Sequence, residues 1–443
     1  MTPQLFKQLR EKAATFRHDR AAQRIERLRR LENWISSHED AIVAALSADF
    51  NKPSFETVLS EIYPALTEIR HAIQHLKSWM KDKTVKTPAV LMGHRSFIRY
   101  ENKGTVLVIG PWNYPFQIAV IPAVSALAAG NTVVVKPSEL TPKTAELIKK
   151  MFTECFSSDE VCVELGGREV TTELLKYDFD HVFFTGSTQV GRVIAAACAE
   201  RLIPYTLELG GKSPTIVDES ADLDDAAEKI FWGKFLNRGQ TCIAPDYLVI
   251  HENAVTPLTE KLRRLGSNFD NLDKAHIINE RNHERLNAML EERHDLNART
   301  LTLVPMTDAQ HPTMKDEIFG PILPYLSFKT RDDLRRVVLQ QDKPLSLYVF
   351  AKNRDFIEFV LRTFTSGSVG INAVAVQFGN PHLPFGGLGA SGVGSYHGFS
   401  GFKEFSHARS IISHEHLKRT RRLLLPPYSN WKVMILDFIK KFF

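Results

Sequence analysis

Between Lys103 and Lys136 the chain carries no charged residue, a run of 32 positions, and this run constrains the fold more than any other feature. It is long enough for a membrane-spanning helix. Its punctuation argues otherwise. Pro111, Asn113, Pro115 and Pro122 divide it into an apolar strand at 105–109, a loop, a helix at 116–129 and a second apolar strand at 132–135. Apolar strand, crossover helix and apolar strand is the pattern of a parallel sheet covered on both faces.

The rest of the chain fits around that unit. Residues 1–80 read as helices, with a long amphipathic stretch at 21–50. Further strands are predicted at 181–185, 215–217, 247–251 and 347–351, and helices at 142–154, 189–201, 222–235 and 331–340. This alternation is α/β, and in a chain of 443 residues it predicts two successive sheet domains. The segment 381–401 is rich in Gly, which predicts backbone packed closely on backbone or ligand, or a mobile loop.

Charge is unevenly placed. The net charge is +5, from 56 basic and 51 acidic residues. Seven basic residues and two acidic ones lie in 415–443, so the first 414 residues are neutral and the tail holds the whole excess. The basic run from Lys418 to Arg422 is too short and isolated for a nucleic-acid surface. Beyond it, Trp431, Met434, Ile435, Phe438, Ile439 and Phe442 are predicted to share one helical face, with Lys432, Asp437, Lys440 and Lys441 away from it. Such a helix is too short to span a bilayer, and predicts either a peripheral membrane contact through 415–443 or packing on a partner subunit. His414-Glu415-His416 reads as part of a solvated tail, and no metal site is predicted.

The four cysteines, Cys155, Cys162, Cys198 and Cys242, lack the paired spacings of a zinc site and are too few for a disulfide framework. With no apolar leader segment in the first residues, they predict a cytoplasmic protein, membrane-surface contact by the tail aside. Three of them lie in apolar-patterned segments and read as core. Cys242 differs. It sits in Gln240-Thr241-Cys242-Ile243-Ala244-Pro245, among small and polar residues before a proline, where a thiol is open to tuning by its neighbours.

Three more patterns carry chemistry, although each taken singly also has a plain structural reading. Gly186-Ser187-Thr188-Gln189-Val190-Gly191 follows a predicted strand and opens a helix. Glycines there let the backbone approach a ligand, and the first N–H groups of a helix favour an anion. Glu208, in Leu207-Glu208-Leu209-Gly210-Gly211-Lys212, is a carboxylate in an apolar setting, which raises its pKa toward that of a useful base. Asn113, between Pro111 and Pro115, offers a fixed amide donor of the kind that stabilises an oxyanion.

In order and spacing these patterns resemble the signature of the aldehyde dehydrogenase superfamily. The match runs from Pro111-Trp112-Asn113-Tyr114-Pro115 through Val133 to Glu139, the 184–191 turn, Glu208 and Cys242 34 residues after it, then Asp316-Glu317-Ile318-Phe319-Gly320-Pro321 and Pro384-Phe385-Gly386-Gly387. Tyr396-His397-Gly398 and Pro426-Pro427-Tyr428-Ser429-Asn430-Trp431 are similar to the class 3, fatty aldehyde dehydrogenase-like branch.

The resemblance implies an α/β fold with a Rossmann-like cofactor domain (1–81 and 104–207), an α/β catalytic domain (208–401) and a small bridging β-sheet (82–103 and 402–414) that pairs subunits as a homodimer. It implies oxidation of an aldehyde to its carboxylate, with Cys242 as nucleophile, Asn113 in the oxyanion site and Glu208 as the base that activates water against a thioester. For the cofactor it implies Gly186, Ser187, Thr188, Gln189, Val190 and Gly191 at the pyrophosphate, and Lys136 and Glu139 at the adenosine ribose. Glu317 belongs at the nicotinamide ribose and Phe319 at the nicotinamide. The carboxylate of Glu139 favours NAD, and Lys136 beside it leaves NADP open. The branch and the 28 Phe predict an apolar substrate, aromatic or medium to long aliphatic.

Two departures, Ala373 where many class 3 relatives carry Asp and Ala390 where Asn is common, fall on the rim and closing loop and bear on substrate choice. Readings of another class are a non-catalytic scaffold on this fold, which the intact Cys242, Glu208, Asn113 and Glu317 oppose, and a cysteine hydrolase, which leaves the nucleotide patterns unexplained.

Overall fold

A computed structural model describes residues 1–88, 91, 93–414 and 425–442, without the side chains of 439, 441 and 442. Among them fifteen strands form three sheets. In chain order they are β1 (Lys83–Val85), β2 (His94–Asn102), β3 (Thr105–Ile109), β4 (Thr132–Lys136), β5 (Val161–Val163), β6 (His181–Thr185), β7 (Tyr205–Glu208), β8 (Pro214–Val217), β9 (Tyr247–His251), β10 (Thr302–Pro305), β11 (Ile322–Phe328), β12 (Ser346–Phe350), β13 (Ser368–Ile371), β14 (Gly392–Val393) and β15 (Ser406–His414).

The uncharged run folds as β3, the helix Gln117–Ala129 and β4, and all 13 residues of that helix are buried. A helix apolar all round has no face to offer to water, so it lies between the sheet and the helices of the N-terminal region. It packs on Ala21–Ser37 and Tyr63–Trp79. Arg24 closes its end: Nη1 donates to the Ala128 carbonyl at 3.1 Å, a cation against the negative end of the helix.

β3 pairs in parallel with β4 on one side and β6 on the other. The first sheet runs β14-β7-β6-β3-β4-β5, parallel except for β14. The chain lays β4 and β5 to one side of β3, then returns to lay β6 and β7 on the other. Such a reversal opens a crevice outside the carboxyl ends of β3 and β6. The second sheet, β10-β11-β9-β8-β12-β13, is parallel throughout. The third is antiparallel, β1-β2-β15, with β15 paired on β2 from Ser406↔Asn102 to His414↔His94.

All six predicted strands are present; β4 and β8 are each one residue longer than their sequence patterns, and β12 begins and ends one residue earlier. Six others had no sequence signal. β5, β7, β10, β13 and β14 are four residues or shorter, and Pro324 hides β11, although it stands in register opposite Val304 inside the sheet. The Gly-rich segment packs backbone on backbone: Phe385 pairs with Tyr396, and Leu209 N donates to the Ser391 carbonyl at 3.1 Å.

The tail departs from its pattern. A helix runs Asn430–Phe442, but Lys432 is buried and donates to the Leu425 carbonyl at 2.5 Å. Val433 and Leu436 are exposed together with Trp431, Met434, Ile435 and Phe438, so the apolar surface is wider than one face. Residues 415–424, with the basic run and the Glu415-His416 pair, lie outside the described residues, as do the side chains of Ile439, Lys441 and Phe442. No described helix is long and apolar enough to cross a membrane, and no described group of three side chains is arranged to hold a metal.

Candidate active site

The carboxyl ends of four neighbouring strands bring the patterns together. Asn113 lies in the loop after β3, Lys136 ends β4, the Gly186 turn follows β6, and Glu208 ends β7. Cys242 comes from the other sheet, in the turn before β9. Folding joins Asn113 to that turn across 127 residues of chain: the Asn113 amide donates to the Gln240 carbonyl at 3.0 Å. An Asn amide carries two hydrogens, and this bond uses one. Tyr114 OH lies 2.7 Å from Thr241 Oγ1.

The turn is held from below by a residue the sequence did not single out. Asn237 has φ +50°, in the left-handed region that Asn tolerates better than most residues. Its amide donates to the Asn113 carbonyl at 2.8 Å and the Gln240 carbonyl at 3.1 Å, and its N–H is accepted by buried Glu56 at 2.7 Å. Beside it Lys52 and Glu61, both fully buried, pair at 2.7 Å, with Lys52 Nζ 4.0 Å from the centre of the Tyr114 ring. Glu61 also accepts from Gln117 N at 2.9 Å. Asn followed closely by Gly at 237–239 was the available sequence signal. Nothing in the first 80 residues marked Lys52, Glu56 or Glu61.

Cys242 is half-buried. Neighbours do tune its thiol, but upward: burial, then Glu317, then Glu208 disfavour the thiolate. Glu208 is 2% exposed, neither of its oxygens has a hydrogen-bond partner, and burial with the nearby Glu404 pushes its carboxyl well up. Glu208 thus ends a strand and is buried, neither a helix-end nor a surface glutamate. Glu317 is raised to about 8 by burial and by Asp246, against a hydrogen bond from Gly211 N. Asp246 ties the two loops: it pairs with buried Lys212 and accepts from Ile318 N at 2.9 Å. Phe319, with φ +51°, sets its ring edge-on to Trp112 at 5.4 Å.

On the other side, Lys136 Nζ meets Glu139 Oε2 at 2.7 Å, the lysine buried and the glutamate half-exposed. Ser187 caps the helix Thr188–Glu200, its Oγ accepting from Val190 N. A Cβ on Gly186 would stand 2.5 Å from the Phe184 ring, so a larger residue there would have to displace that buried ring. Ser187, Gln189 and Val190 are exposed and Gly191 is buried. A bare turn at a helix start, at a strand-order reversal and beside a paired Lys and Glu, fits a dinucleotide.

The sequence model of the aldehyde dehydrogenase family matches residues 3–411. The chain is 41% identical over 440 residues to 4,4'-diaponeurosporen-aldehyde dehydrogenase of Staphylococcus aureus, covering 95% of this chain and 94% of that one. It is 38% identical over 404 residues to a dimeric, NADP-preferring aldehyde dehydrogenase of Rattus norvegicus, covering 88% and 89%. The solved substrate-bound state of Staphylococcus aureus AldH superposes with a TM-score of 0.93 at 38% identity over 98% of both chains.

Proposed function

The chain belongs to the aldehyde dehydrogenase family, NAD(P)-dependent oxidoreductases acting on aldehydes, and from that premise we propose that Cys242, Asn113 and Glu208 carry oxidation of an apolar aldehyde to its carboxylic acid. The observation that supports this most is the convergence of the three from two sheets, with Asn113 bonded two residues from Cys242 and Glu208 acting on the Cys242 thiol.

In this reading Cys242, as thiolate, attacks the aldehyde carbon. The resting pocket disfavours that thiolate, so the thiol first gives its proton to water reaching the half-buried sulfur, and the thiolate that remains forms the C–S bond. The second hydrogen of the Asn113 amide and the Cys242 N–H hold the oxyanion, each such donor typically contributing ~3 kcal/mol. The nicotinamide cofactor, when bound, accepts the hydride. Glu208 then takes a proton from a water that attacks the thioester. A carboxylate with no partner and a raised pKa suits that step better than a solvated one would.

For the cofactor, Gly186 to Gly191 would lie along the pyrophosphate, Lys136 and Glu139 at the adenosine ribose, Glu317 at the nicotinamide ribose and Phe319 at the nicotinamide. The first sheet with the N-terminal helices would form the cofactor domain and the second the catalytic domain. β15 turns a nine-residue edge away from β2, which supports pairing of two subunits through the third sheet. Exposed Trp431, Met434 and Phe438, next to the chain's whole charge excess, support a peripheral contact with an anionic bilayer.

An apolar substrate is supported by the likeness to 4,4'-diaponeurosporen-aldehyde dehydrogenase. The test is aldehyde-dependent reduction of NAD across aromatic and aliphatic aldehydes of increasing length, with 4,4'-diaponeurosporen-aldehyde as one arm. Turnover should vanish in Cys242→Ala. Silence with every aldehyde would sink the proposal.

A further inference from the structure

A base that removes a proton in a sealed pocket must lose it before the next turnover. Glu208 has no hydrogen-bond partner to receive it, but a second carboxylate stands by. Glu404, at the end of the helix Gly398–Glu404, accepts from Thr206 Oγ1, two residues before Glu208 on the same side of β7. Its charge bears on the Glu208 carboxyl, and it is half-exposed where Glu208 is sealed.

Glu404 is held by a directed chain. Lys103 Nζ lies 2.9 Å from His181 Nδ1. A lysine ammonium only donates, so this contact places the ring hydrogen on Nε2. Nε2 is 2.9 Å from Thr206 Oγ1, and that hydroxyl donates to Glu404 Oε1 at 2.6 Å. Burial favours neutral His181. The approach of Glu404 depends on Gly394, where φ is +86° and a Cβ would stand 2.8 Å from Glu404 Oε1 and 3.0 Å from Thr206 Cγ2.

We propose that Glu404 is the proton outlet of Glu208, held in place by Thr206, His181 and Lys103. The inference rests on Glu208 being the hydrolytic base. As water oxygen bonds to the thioester carbon, one water proton goes to Glu208 and the C–S bond breaks, its electron pair returning to Cys242 as thiolate. The two carboxyls share no hydrogen bond, so the Glu208 proton passes through a bridging water to Glu404 and on to solvent, restoring the carboxylate. Cys242 and Tyr396 are the other titratable groups facing Glu208, and Lys103 faces Glu404. Glu404 acts only through Glu208 and is a positioning residue.

Cofactor-free hydrolysis of p-nitrophenyl acetate isolates the step, because the ester acylates Cys242 and only deacylation needs the base. Glu404→Gln should give a full burst of p-nitrophenolate, then a steady state about tenfold slower than wild type, with acetylated Cys242 accumulating by intact mass. Glu404→Asp should recover part of the loss. The relay is overturned if Glu404→Gln deacylates at the wild-type rate, or if burst and steady state fall together, as in a structural defect. Glu208→Gln separates the two readings. If it deacylates normally, the base assignment fails and the relay with it, whereas a slow Glu208→Gln beside a normal Glu404→Gln overturns the relay alone.

Discussion

The side-chain amide of Asn237 donates to the backbone carbonyl of Asn113 at 2.8 Å, so the loop after β3 and the turn before Cys242 form one hydrogen-bonded unit. Asn237→Ala removes that bond and the one to the Gln240 carbonyl; the Gln240 carbonyl keeps the Asn113 amide, but the buried Asn113 carbonyl loses its donor, at about 1–3 kcal/mol. The expected outcome is a lowered urea midpoint, and a fall in kcat larger than any rise in KM, because the misplaced oxyanion donors act on the transition state more than on the bound aldehyde.

Glu208→Gln should abolish steady-state turnover and at the same time stabilise the fold. The wild-type carboxylate is 2% exposed with neither oxygen partnered, and a neutral amide of the same shape avoids burying a charge. Thermal unfolding near pH 8 checks it, and an unchanged or lower Tm would count against a charged Glu208 in the resting protein.

Glu68 gives a pH signature. Burial raises it to about 7 from an ordinary 4.5, and its Oε1 accepts from Gly398 N at 2.6 Å. Between those two values the folded protein keeps a proton that the unfolded chain has lost. The stabilisation is therefore full below the unfolded value and is lost as pH rises through the folded one. Glu68→Gln keeps the acceptor and removes the titration, so from about pH 5 to about pH 8 it should lose roughly 3 kcal/mol less than wild type. Paired urea titrations of the two proteins cancel the other titrating groups.

Glu139→Gln should shift cofactor choice toward NADP. With the carboxylate gone, Lys136 loses its 2.7 Å partner and offers its charge to a ribose phosphate. The ratio of kcat/KM for NADP to that for NAD should rise about tenfold, for roughly 1.4 kcal/mol of removed repulsion. A constant ratio would place the adenosine ribose elsewhere.

Sedimentation with anionic vesicles should carry down the full chain and leave behind a chain lacking residues 415–443. The vesicle-bound fraction should fall as salt rises, since basic residues supply part of the attraction. Equal sedimentation of both forms would rule out the tail as the contact.

The sequence by itself determined the parallel βαβ unit at 105–136, the α/β class and the family, because apolar runs, prolines and glycine turns act over a few residues and leave their mark locally. It also marked Cys242, Glu208, Asn113 and the Gly186 turn as a set. Tertiary structure decided how that set is held and how it is charged. Asn113 meets Gln240 across 127 residues of chain, and Thr206 meets Glu404 across 198. No local pattern records such contacts, so Lys52, Glu61 and Glu404 stayed silent. The direction of the Cys242 shift was equally hidden, since the ionisation of a thiol depends on the burial and the carboxylates that folding places around it, and here Glu317 and Glu208 stand on the side that opposes the thiolate.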